Sequence, residues 1–378
     1  MKFALTGGHL TPALAVIDEL KKDPSNEIIF LGRLYATEGD PSPSAESVVI
    51  PNLGIKFFPL SAGRLQRSFG RHSLPSLARV PIGVIQASVI LSREKPSVVI
   101  SFGSYVAFPT VVAAWVLGIP TITHEQTMRG GLSNRLIARF AKKIAVSWKE
   151  SENFFPKNKV VVTGNPIRRE ILEIEKKRTQ RPIIYITGGN QGSHIINENV
   201  AEVLPQLLGE FEVIHQTGSG EVYQDFEELK KKVESLPKRL QNRYIVSKWF
   251  NSSEVAEIFS RAWLVVSRSG ANTVSELAAL GIPAIFVPIP WASGDEQRKN
   301  AEVLSRGGGA LILSEDKLSP RRLLAAIKHV IDNYPTFKKA AKTATKFISS
   351  DASKLIVEEA KKLVNNVEVS PFSDSAEN

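Results

Sequence analysis

Residues 264–276 read LVVSRSGANTVSE, a short aliphatic run that passes through a Ser-Gly pair into an amphipathic stretch. This pattern predicts a strand, a tight turn and a helix that begins near Ala271. A helix N-terminus presents free backbone N–H groups and the positive end of the helix dipole, so a diphosphate fits there. Glu276 falls about one turn beyond Asn272 and Thr273, where a carboxylate can accept hydrogen bonds from a ribose. A capped surface helix explains the segment alone equally well.

The same strand-to-turn pattern recurs along the chain. The apolar runs are Lys2–Leu5, Ile28–Leu31, Ser97–Phe102, Thr121–Thr123, Ile144–Ser147 and Val160–Thr163, then Ile183–Thr187, Glu212–Gln216, Tyr244–Val246, Leu264–Ser267, Ala284–Val287 and Leu311–Leu313. Because they alternate with helical stretches, the sequence predicts an α/β protein with two doubly wound parallel sheets. We place the first domain at 1–164 and the second at 165–349, with a helix at about 350–365 packing back on the first and a disordered tail at 366–378.

Composition narrows the classes of function. The 378 residues contain no Cys, which excludes a disulfide framework, a thiolate zinc site and a cysteine nucleophile. Residues 1–165 contain 19 Lys and Arg against 11 Asp and Glu, so most of the net charge of +10 lies in this half. An anionic partner is therefore expected: a nucleic acid, a phosphate-bearing substrate or an acidic membrane. We predict no signal peptide, because the first apolar run ends in glycines at residues 7–8. We predict no transmembrane helix, because the longest apolar stretch, 105–117, is too short and contains Pro109.

Two further segments of the second half carry polar groups suited to a sugar nucleotide. Gln297 and Asn300 stand at i and i+3, and paired amides on one helix face suit sugar hydroxyls, although such pairs are usually plain polar surface. Residues 187–193, TGGNQGS, form a glycine-rich strand-to-helix turn. They lack the Lys-Ser/Thr ending of a P-loop and the G-x-G-x-x-G spacing of a dinucleotide site.

The first half offers an acid–base candidate. Residues 6–9, TGGH, place His9 at the first strand-to-helix turn, where an imidazole can act as general base; a helix-capping or packed histidine is the usual alternative. Residues 124–126, HEQ, end another strand and are not an H-E-x-x-H zinc motif, since Met128 stands at the second histidine position. Arg168 lies at the domain boundary, where a guanidinium can reach a phosphate or brace the hinge.

Taken in order, these segments resemble the MurG family, bacterial N-acetylglucosaminyltransferases of peptidoglycan synthesis. The most specific matches are Leu117 to Gln126, Gly164 to Arg168 and Arg268 to Glu276. The resemblance implies the GT-B architecture, two Rossmann-like domains facing a central cleft. It implies transfer of N-acetylglucosamine, with inversion, from UDP-N-acetylglucosamine to undecaprenyl-diphosphate-linked N-acetylmuramyl pentapeptide (lipid I), giving lipid II for the cell wall, cell shape and cell division.

The resemblance also implies roles for individual residues. His9 is the candidate general base. Donor binding is expected at Arg168, Asn190, Ala271, Asn272, Thr273, Glu276, Gln297, Asn300 and Thr127. Acceptor binding is expected at Thr6, Gly7, Gly8, Gly103, Ser104, Tyr105 and Glu125. Neither a metal nor a cofactor is expected, and the protein is expected at the cytoplasmic face of the cell membrane as a peripheral protein.

Residues 56–95 support a membrane partner. They carry seven basic residues against one acid, Glu94, and the basic residues alternate with apolar ones. The basic residues are Lys56, Arg64, Arg67, Arg71, Arg79, Arg93 and Lys95, and the apolar ones are Phe57, Phe58, Leu65, Phe69, Leu74 and Leu77. Such interleaving suits an anionic leaflet, at about 1 kcal/mol for each basic residue near the surface. A solvated basic face is the alternative.

Departures from the family pattern leave the acceptor open. The first glycine loop is shortened, because Leu5 leads directly into residues 6–9, and Gly103-Ser104-Tyr105 stands where a Gly-Gly-Tyr run is usual. One alternative is another GT-B enzyme acting on a lipid, such as a diacylglycerol glycosyltransferase. Another is a catalytically inactive relative that binds a nucleotide sugar. A nucleic-acid-binding protein is disfavoured, because no zinc-finger, RNA-binding or basic-zipper signature accompanies the charge.

Overall fold

The computed structural model describes residues 1–35, 43–61, 73–177, 179–220 and 222–368. The strands are β1 (Lys2–Thr6), β2 (Glu27–Gly32), β3 (Lys56–Pro59), β4 (Val98–Ser101), β5 (Thr121–Glu125), β6 (Lys143–Val146), β7 (Val160–Val162), β8 (Ile183–Thr187), β9 (Glu212–Gln216), β10 (Tyr244–Ser247), β11 (Ala262–Ser267), β12 (Ala284–Phe286) and β13 (Ala310–Ile312).

The α-helices alternate with these strands. They are α1 (Leu10–Lys21), α2 (Ala45–Asn52), α3 (Ser73–Glu94), α4 (Ser104–Val116), α5 (Leu132–Phe140), α6 (Arg169–Leu172), α7 (His194–Glu210), α8 (Asp225–Glu234), α9 (Lys238–Gln241), α10 (Ser252–Arg261), α11 (Ala271–Leu280), α12 (Glu296–Ser305), α13 (Pro320–Asp332), α14 (Tyr334–Ala344) and α15 (Ala352–Glu368). Short 3₁₀ turns lie at Lys149–Phe154, Lys157–Lys159, Ser293–Asp295, Glu315–Lys317 and Thr345–Phe347.

The chain divides into two compact units. Unit 1 comprises Met1–Arg168 and Ser349–Asn378, and unit 2 comprises Arg169–Ile348. Each unit contains one parallel sheet with helices on its faces, so the predicted α/β class with two Rossmann-like domains is confirmed. The predicted disordered tail overlaps α15, which continues to Glu368, and the rest of that tail lies outside the described residues.

In unit 1 the strand order is β3-β2-β1-β4-β5-β6-β7. β1 and β4 are neighbours and pair in parallel, with Thr6 opposite Ser101. The chain reverses its direction of winding between these two strands, and ligands of open α/β sheets bind at the carboxyl ends of such a pair. The turns after β1 and β4 are therefore the place where unit 1 is expected to bind a ligand.

Unit 2 repeats this design with the order β10-β9-β8-β11-β12-β13. Here β8 and β11 are the central pair, with Thr187 opposite Ser267. The turns that follow them are the glycine-rich segment after Thr187 and the Arg268–Gly270 segment. The two segments that the sequence analysis singled out in this half thus start from adjacent strands.

Alternating side chains of the strands build the cores. In β1, Phe3 and Leu5 pack on one face of the unit 1 sheet and Ala4 on the other. The face with Phe3 and Leu5 is covered by α1 and by α15, whose Ile356, Val357 and Ala360 are buried. The polypeptide thus returns to unit 1 after completing unit 2.

One strand was missed from the sequence. β3 pairs with β2, and Phe57 of β3 stacks on Phe30 with 6.2 Å between ring centroids. Phe57 and Phe58 are half-buried against the core. Their predicted contact with a membrane stays a prediction. The strand was missed because a four-residue edge strand ending in Pro59 gives only a weak local pattern.

Candidate active site

The turns after β1 and β4 touch each other in unit 1. The Gly8 N–H donates to the Gly103 carbonyl at 3.3 Å, and the Phe102 N–H donates to the Thr6 carbonyl at 2.7 Å. Gly7 has φ +144°, and a Cβ there would lie 2.9 Å from Phe102. Only glycine fits such a close approach of two backbones.

His9 stands at the N-terminus of α1 without capping it. Its Nδ1 lies 2.9 Å from Nε2 of Gln126, a residue that the sequence analysis assigned no role. Burial lowers the pKa of His9, the charge of Glu125 partly restores it, and the charge of Arg33 lowers it further. The ring is therefore neutral at pH 7, the form that a general base needs.

The hydrogen bond to Gln126 decides which ring nitrogen can act. If the amide donates to Nδ1, the neutral ring carries its proton on Nε2 and cannot accept another there. If the amide is reversed, its Oε1 accepts from Nδ1–H and Nε2 is free to take a proton, with the same heavy-atom distance. Base catalysis through Nε2 therefore requires Gln126 to accept.

Glu125 organises the loop that follows β5. Its carboxylate accepts from the Thr127 N–H at 2.9 Å and Thr127 Oγ1 at 2.8 Å, and from the Gly131 N–H and Asn134 Nδ2 at 2.9 Å each. Four donors of the chain itself thus surround a carboxylate that is 2% exposed. This environment makes Glu125 an anchor of the loop, and its contact with an acceptor stays a prediction.

The start of α4 is strained beside this anchor. Gly103 and Ser104 both have positive φ, at 69° and 67°. A Cβ on Gly103 would lie 2.2 Å from Oδ1 of Asn134, so the side chain of Asn134 occupies the space of the missing one. A non-glycine residue held at positive φ costs about 1–2 kcal/mol, and such strain clusters at functional sites.

In unit 2, the N-terminus of α11 gathers buried polar atoms. α11 begins at Ala271, as predicted, after Gly270 with no side-chain cap. The hydroxyls of Ser267 and Ser269 are buried and have no hydrogen-bond partner among the described residues. Each such group costs about 1–3 kcal/mol when it stays unpaired. A ligand that hydrogen-bonds in this turn recovers that cost.

α12 supports the same turn. Asn300, 1% exposed, donates through Nδ2 to the Ser269 carbonyl at 3.2 Å, while its Oδ1 has no partner among the described residues. Gln297 accepts the Ile289 N–H at 3.1 Å through Oε1, which leaves its NH₂ group for other contacts. The two predicted amides therefore differ: Asn300 is buried and contacts the turn, whereas Gln297 is half-buried and contacts Ile289.

The remaining donor candidates lie on or near these elements. Asn272 and Thr273 are half-buried in the first turn of α11, and Glu276 is buried one turn further on. Arg268, just before this turn, forms a partly buried ion pair with Glu315 and donates to the Val287 carbonyl at 3.0 Å, which fixes the approach to the turn.

The glycine-rich turn after β8 is closed by its own backbone. The Gly192 N–H donates to the Gly189 carbonyl at 3.1 Å, and both glycines have positive φ. Asn190 stands exposed at the tip, and its carbonyl accepts from the Ser219 N–H at 2.9 Å. The Ser193 hydroxyl is buried without a partner among the described residues.

Two predicted donor contacts stand apart from this cluster. Thr127 belongs to unit 1, where its hydroxyl lies 2.8 Å from both Glu125 Oε1 and the Arg129 carbonyl. Arg168 is the last residue of the first segment of unit 1. Their roles toward the donor stay predictions. The described residues contain no group of three or more His, Cys, Asp or Glu side chains that could hold a metal ion, and the absence of a cofactor also stays a prediction.

Sequence reasoning missed several residues near these turns. Gln126 and Asn134 contact predicted site residues, and so does Arg33, which donates to the Tyr105 hydroxyl at 3.1 Å. Gln126 and Asn134 follow β5 in a glycine-containing segment, which was an available signal. Arg33 gave no signal, because its partners are 13 and 72 residues away.

Known proteins resemble this chain over most of its length. Residues 6–146 match the glycosyltransferase family 28 N-terminal domain, and residues 183–356 match the glycosyltransferase family 28 C-terminal domain. The UDP-N-acetylglucosamine–N-acetylmuramyl-(pentapeptide) pyrophosphoryl-undecaprenol N-acetylglucosamine transferase of Geobacter sulfurreducens is 33% identical over 364 residues, or 94% of this chain and 95% of that enzyme. The enzyme of the same name from Thermoanaerobacter sp. strain X514 is 32% identical over 361 residues, or 93% and 95% of the two chains.

Solved structures also resemble this chain. The crystal structure of Acinetobacter baumannii MurG matches 96% of this chain and 99% of its own, with a TM-score of 0.71 and 26% identity. A UDP-GlcNAc 2-epimerase from Neisseria meningitidis, bound to UDP-GlcNAc, matches 96% and 100% of the two chains with a TM-score of 0.65 and 16% identity. The second likeness concerns the fold alone.

Proposed function

The chain belongs to glycosyltransferase family 28, and from this premise we propose that it transfers N-acetylglucosamine from UDP-N-acetylglucosamine to N-acetylmuramyl-pentapeptide pyrophosphoryl-undecaprenol. Relatives that carry this name match it over more than nine-tenths of both chains. The acceptor sugar hydroxyl attacks the anomeric carbon of the donor, the bond from that carbon to the β-phosphate breaks, and UDP leaves. Attack from the opposite side inverts the anomeric centre.

Unit 2 binds the donor in this proposal. Departure of UDP builds negative charge on the β-phosphate, and the N-terminal amides of α11 stabilise that charge without reorganisation. The unpaired hydroxyls of Ser267 and Ser269 and the Oδ1 of Asn300 lie at the same turn and need partners. Glu276 is assigned to the ribose and Gln297 to the N-acetylglucosamine.

Unit 1 supplies the base and binds the acceptor. His9 is neutral at pH 7, and with Gln126 accepting from Nδ1 its Nε2 takes the proton of the attacking hydroxyl. The backbone of Gly7, Gly8, Gly103 and Ser104 approaches closely where β1 and β4 end, which suits a bulky phosphate-bearing acceptor. In this proposal Gln126 positions His9 for its role as general base.

The buried unpaired polar cluster at the start of α11 is the observation that carries the proposal, and a transfer assay tests it. Purified protein is incubated with radiolabelled UDP-N-acetylglucosamine and a short-chain lipid I analogue, with and without acceptor. We expect labelled product only when the acceptor is present. Donor binding without transfer would contradict the proposed acceptor and favour another lipid acceptor or an inactive relative.

Peripheral attachment to the cytoplasmic face of the membrane forms part of the proposal. Within the described residues, every helix is too short or too polar to cross a bilayer. Ile82, Ile85 and Val89 of α3 are 45–65% exposed and share one face at i, i+3 and i+7. Trp115 and Val116, at the end of the helix that packs on α3, are also exposed. The predicted Arg64, Arg67, Arg71, Leu65 and Phe69 lie outside the described residues.

Sedimentation with vesicles tests this attachment. The wild type is expected to sediment with vesicles in which about one third of the lipid is anionic. Ile85→Glu is expected to weaken this binding at least fivefold, because a charge replaces an apolar contact. Val222→Glu is the matched control, since Val222 is 87% exposed in unit 2. Equal partition of Ile85→Glu and wild type would place the membrane contact elsewhere.

A further inference from the structure

Three side chains from separate elements of unit 1 form a chain of contacts beside His9. Arg33 directly follows β2, Glu46 lies in the first turn of α2, and Tyr105 lies in the first turn of α4. Arg33 Nε donates to Glu46 Oε1 at 3.0 Å, and Arg33 Nη1 donates to Tyr105 Oη at 3.1 Å. The guanidinium thus connects a carboxylate to a phenol.

Burial fixes the geometry of this chain. The Glu46 side chain is 3% exposed and that of Arg33 is 29% exposed, so the carboxylate depends on the guanidinium for compensation of its charge. Ser44 fixes both the backbone of Arg33 and the start of α2, the helix that carries Glu46. Its hydroxyl donates to the Arg33 carbonyl at 2.6 Å and accepts from the Ser47 N–H at 3.1 Å, which caps α2. Arg33 is therefore oriented before any ligand binds.

The orientation of Arg33 decides what Tyr105 can do. Because Tyr105 Oη accepts from a guanidinium, its own proton must point away from Arg33. Among the described residues, Arg33 is the hydrogen-bond partner of this hydroxyl. Tyr105 follows Ser104, whose hydroxyl lies close to Gly8 in the turn that leads to His9. The phenolic proton is thus a fixed donor at the acceptor side of unit 1.

We propose that Arg33 is a positioning residue for the acceptor, which holds the Tyr105 hydroxyl so that its proton binds a phosphate oxygen of the acceptor diphosphate. The inference rests on the proposed function, because that acceptor supplies the diphosphate. In the first glycine turn the Gly8 N–H already donates to the Gly103 carbonyl, so a side-chain donor supplies a contact that this amide does not offer. Glu46 pairs with Arg33 and so fixes the direction of its hydrogen bond to Tyr105.

Calorimetric binding of a water-soluble short-chain prenyl diphosphate, without sugar or peptide, tests the inference without turnover. Arg33→Gln combined with Glu46→Gln leaves no unpaired buried charge, and Tyr105→Phe removes the donor. Each is expected to weaken binding about tenfold. All three changes together are expected to weaken it no more than twofold beyond either alone, because they act through one hydrogen bond. Lys22→Gln, an exposed cation on the same unit, is the control.

Transfer kinetics give a second readout that a merely structural role would not move. The Arg33 variants are expected to raise the acceptor KM and leave the donor KM unchanged. The charged groups that act on His9 are Glu125 of β5, which raises its pKa, and Arg33, which lowers it. His124, also of β5, has its own pKa lowered by the charge of His9. Since Arg33 lowers the pKa of His9, its loss should move the acid limb of kcat/KM to higher pH, while Tyr105→Phe should leave that limb in place.

The outcomes separate this inference from the proposed function. Prenyl diphosphate binding within twofold of wild type in both variants, or additive losses, would overturn the inference even if sugar transfer occurs. If the wild type transfers no sugar but the binding losses appear as expected, the role of Arg33 stands and the transferase proposal fails. Should the double variant not fold, Arg33→Lys retains a cation for Glu46, loses the forked donor, and is expected to give the same loss of binding.

Discussion

At the scale of single residues, unit 2 concentrates unpaired polar atoms at one turn. The hydroxyls of Ser267 and Ser269 and the Oδ1 of Asn300 are all buried without a partner among the described residues. Groups of this kind lower the stability of the unliganded protein and raise the affinity for a ligand that pairs them. Stability and donor binding should therefore respond in opposite directions to their removal.

The variant Ser269→Ala tests whether stability and donor binding change in opposite directions. We expect the free energy of unfolding without ligand to stay equal or rise by about 1 kcal/mol, because an unpaired buried hydroxyl is removed. The donor KM is expected to rise about tenfold. Chemical denaturation and steady-state kinetics measure the two effects. Ser275→Ala, on the same helix with its hydroxyl bonded to the Ala271 carbonyl at 2.8 Å, is the control; a loss of stability in Ser269→Ala would contradict the argument.

Glu276→Ala should separate donor binding from catalysis. Removal of a ribose contact is expected to raise the donor KM at least tenfold with little change in kcat, whereas His9→Ala should mainly lower kcat. Glu302→Ala, in α12 and ion-paired with Arg306, is the matched acidic control. Unchanged kinetics in both Glu276→Ala and His9→Ala would show that these residues are wrongly assigned.

The residues that could be predicted share one property. The turns at Thr6–His9 and Arg268–Glu276 are encoded by neighbours in sequence, a strand followed by glycine and a helix start. The bonds from Gln126 to His9 and from Arg33 to Tyr105 join residues 117 and 72 positions apart. Such pairs depend on the strand order that brings the turns together, and no local sequence pattern predicts them.

At the scale of elements, α15 is the helix on which unit 1 depends. It packs against α1, β4 and β5, and it contributes Ile356, Val357 and Ala360 to the core that contains Phe3 and Leu5. A helix this far along the chain could be predicted to form from its apolar period. The apolar period does not show that the helix packs on the sheet of unit 1, because amphipathicity does not specify which sheet a helix covers.

Ile356→Ala measures the contribution of this helix. Ile356 is fully buried, so we expect a loss of about 2–5 kcal/mol in the free energy of unfolding of unit 1. Lys354→Ala, 61% exposed on the same helix, should change it by less than about 0.5 kcal/mol. Urea denaturation followed by far-UV circular dichroism compares the two. Equal effects would mean that α15 is not part of the folded core.

At the scale of the whole molecule, both units bury a neutral histidine within a strand of their sheet. His124 in unit 1 lies 3.2 Å from the Gly164 carbonyl, and His215 in unit 2 lies between Tyr244 and Asn197 at 2.8 and 3.0 Å. Burial lowers the pKa of both to about 3 from 6.5. Between these values the unfolded chain binds more protons than the folded one, so stability falls as pH falls below 6.5.

The free energy of unfolding of both units should therefore fall over the same pH range. From pH 7 to pH 5 each histidine is expected to lower the free energy of unfolding by about 2 kcal/mol. Urea denaturation at both pH values measures the change. His215→Gln should flatten the pH dependence of unit 2 whatever its effect at pH 7, and His329→Gln, at an exposed position, is the control. An unchanged slope in His215→Gln would contradict the assignment.

The discontinuity of unit 1 has a consequence for how the protein is made. Unit 2 is one continuous segment, Arg169–Ile348, whereas the sheet face with Phe3 and Leu5 is completed only when α15 is synthesised. At about 5–20 residues per second, a ribosome needs roughly 10–40 s to translate the intervening segment. During that interval α1 alone covers this face of the nascent first half, so the apolar surface that α15 will bury stays exposed while the second half can already fold.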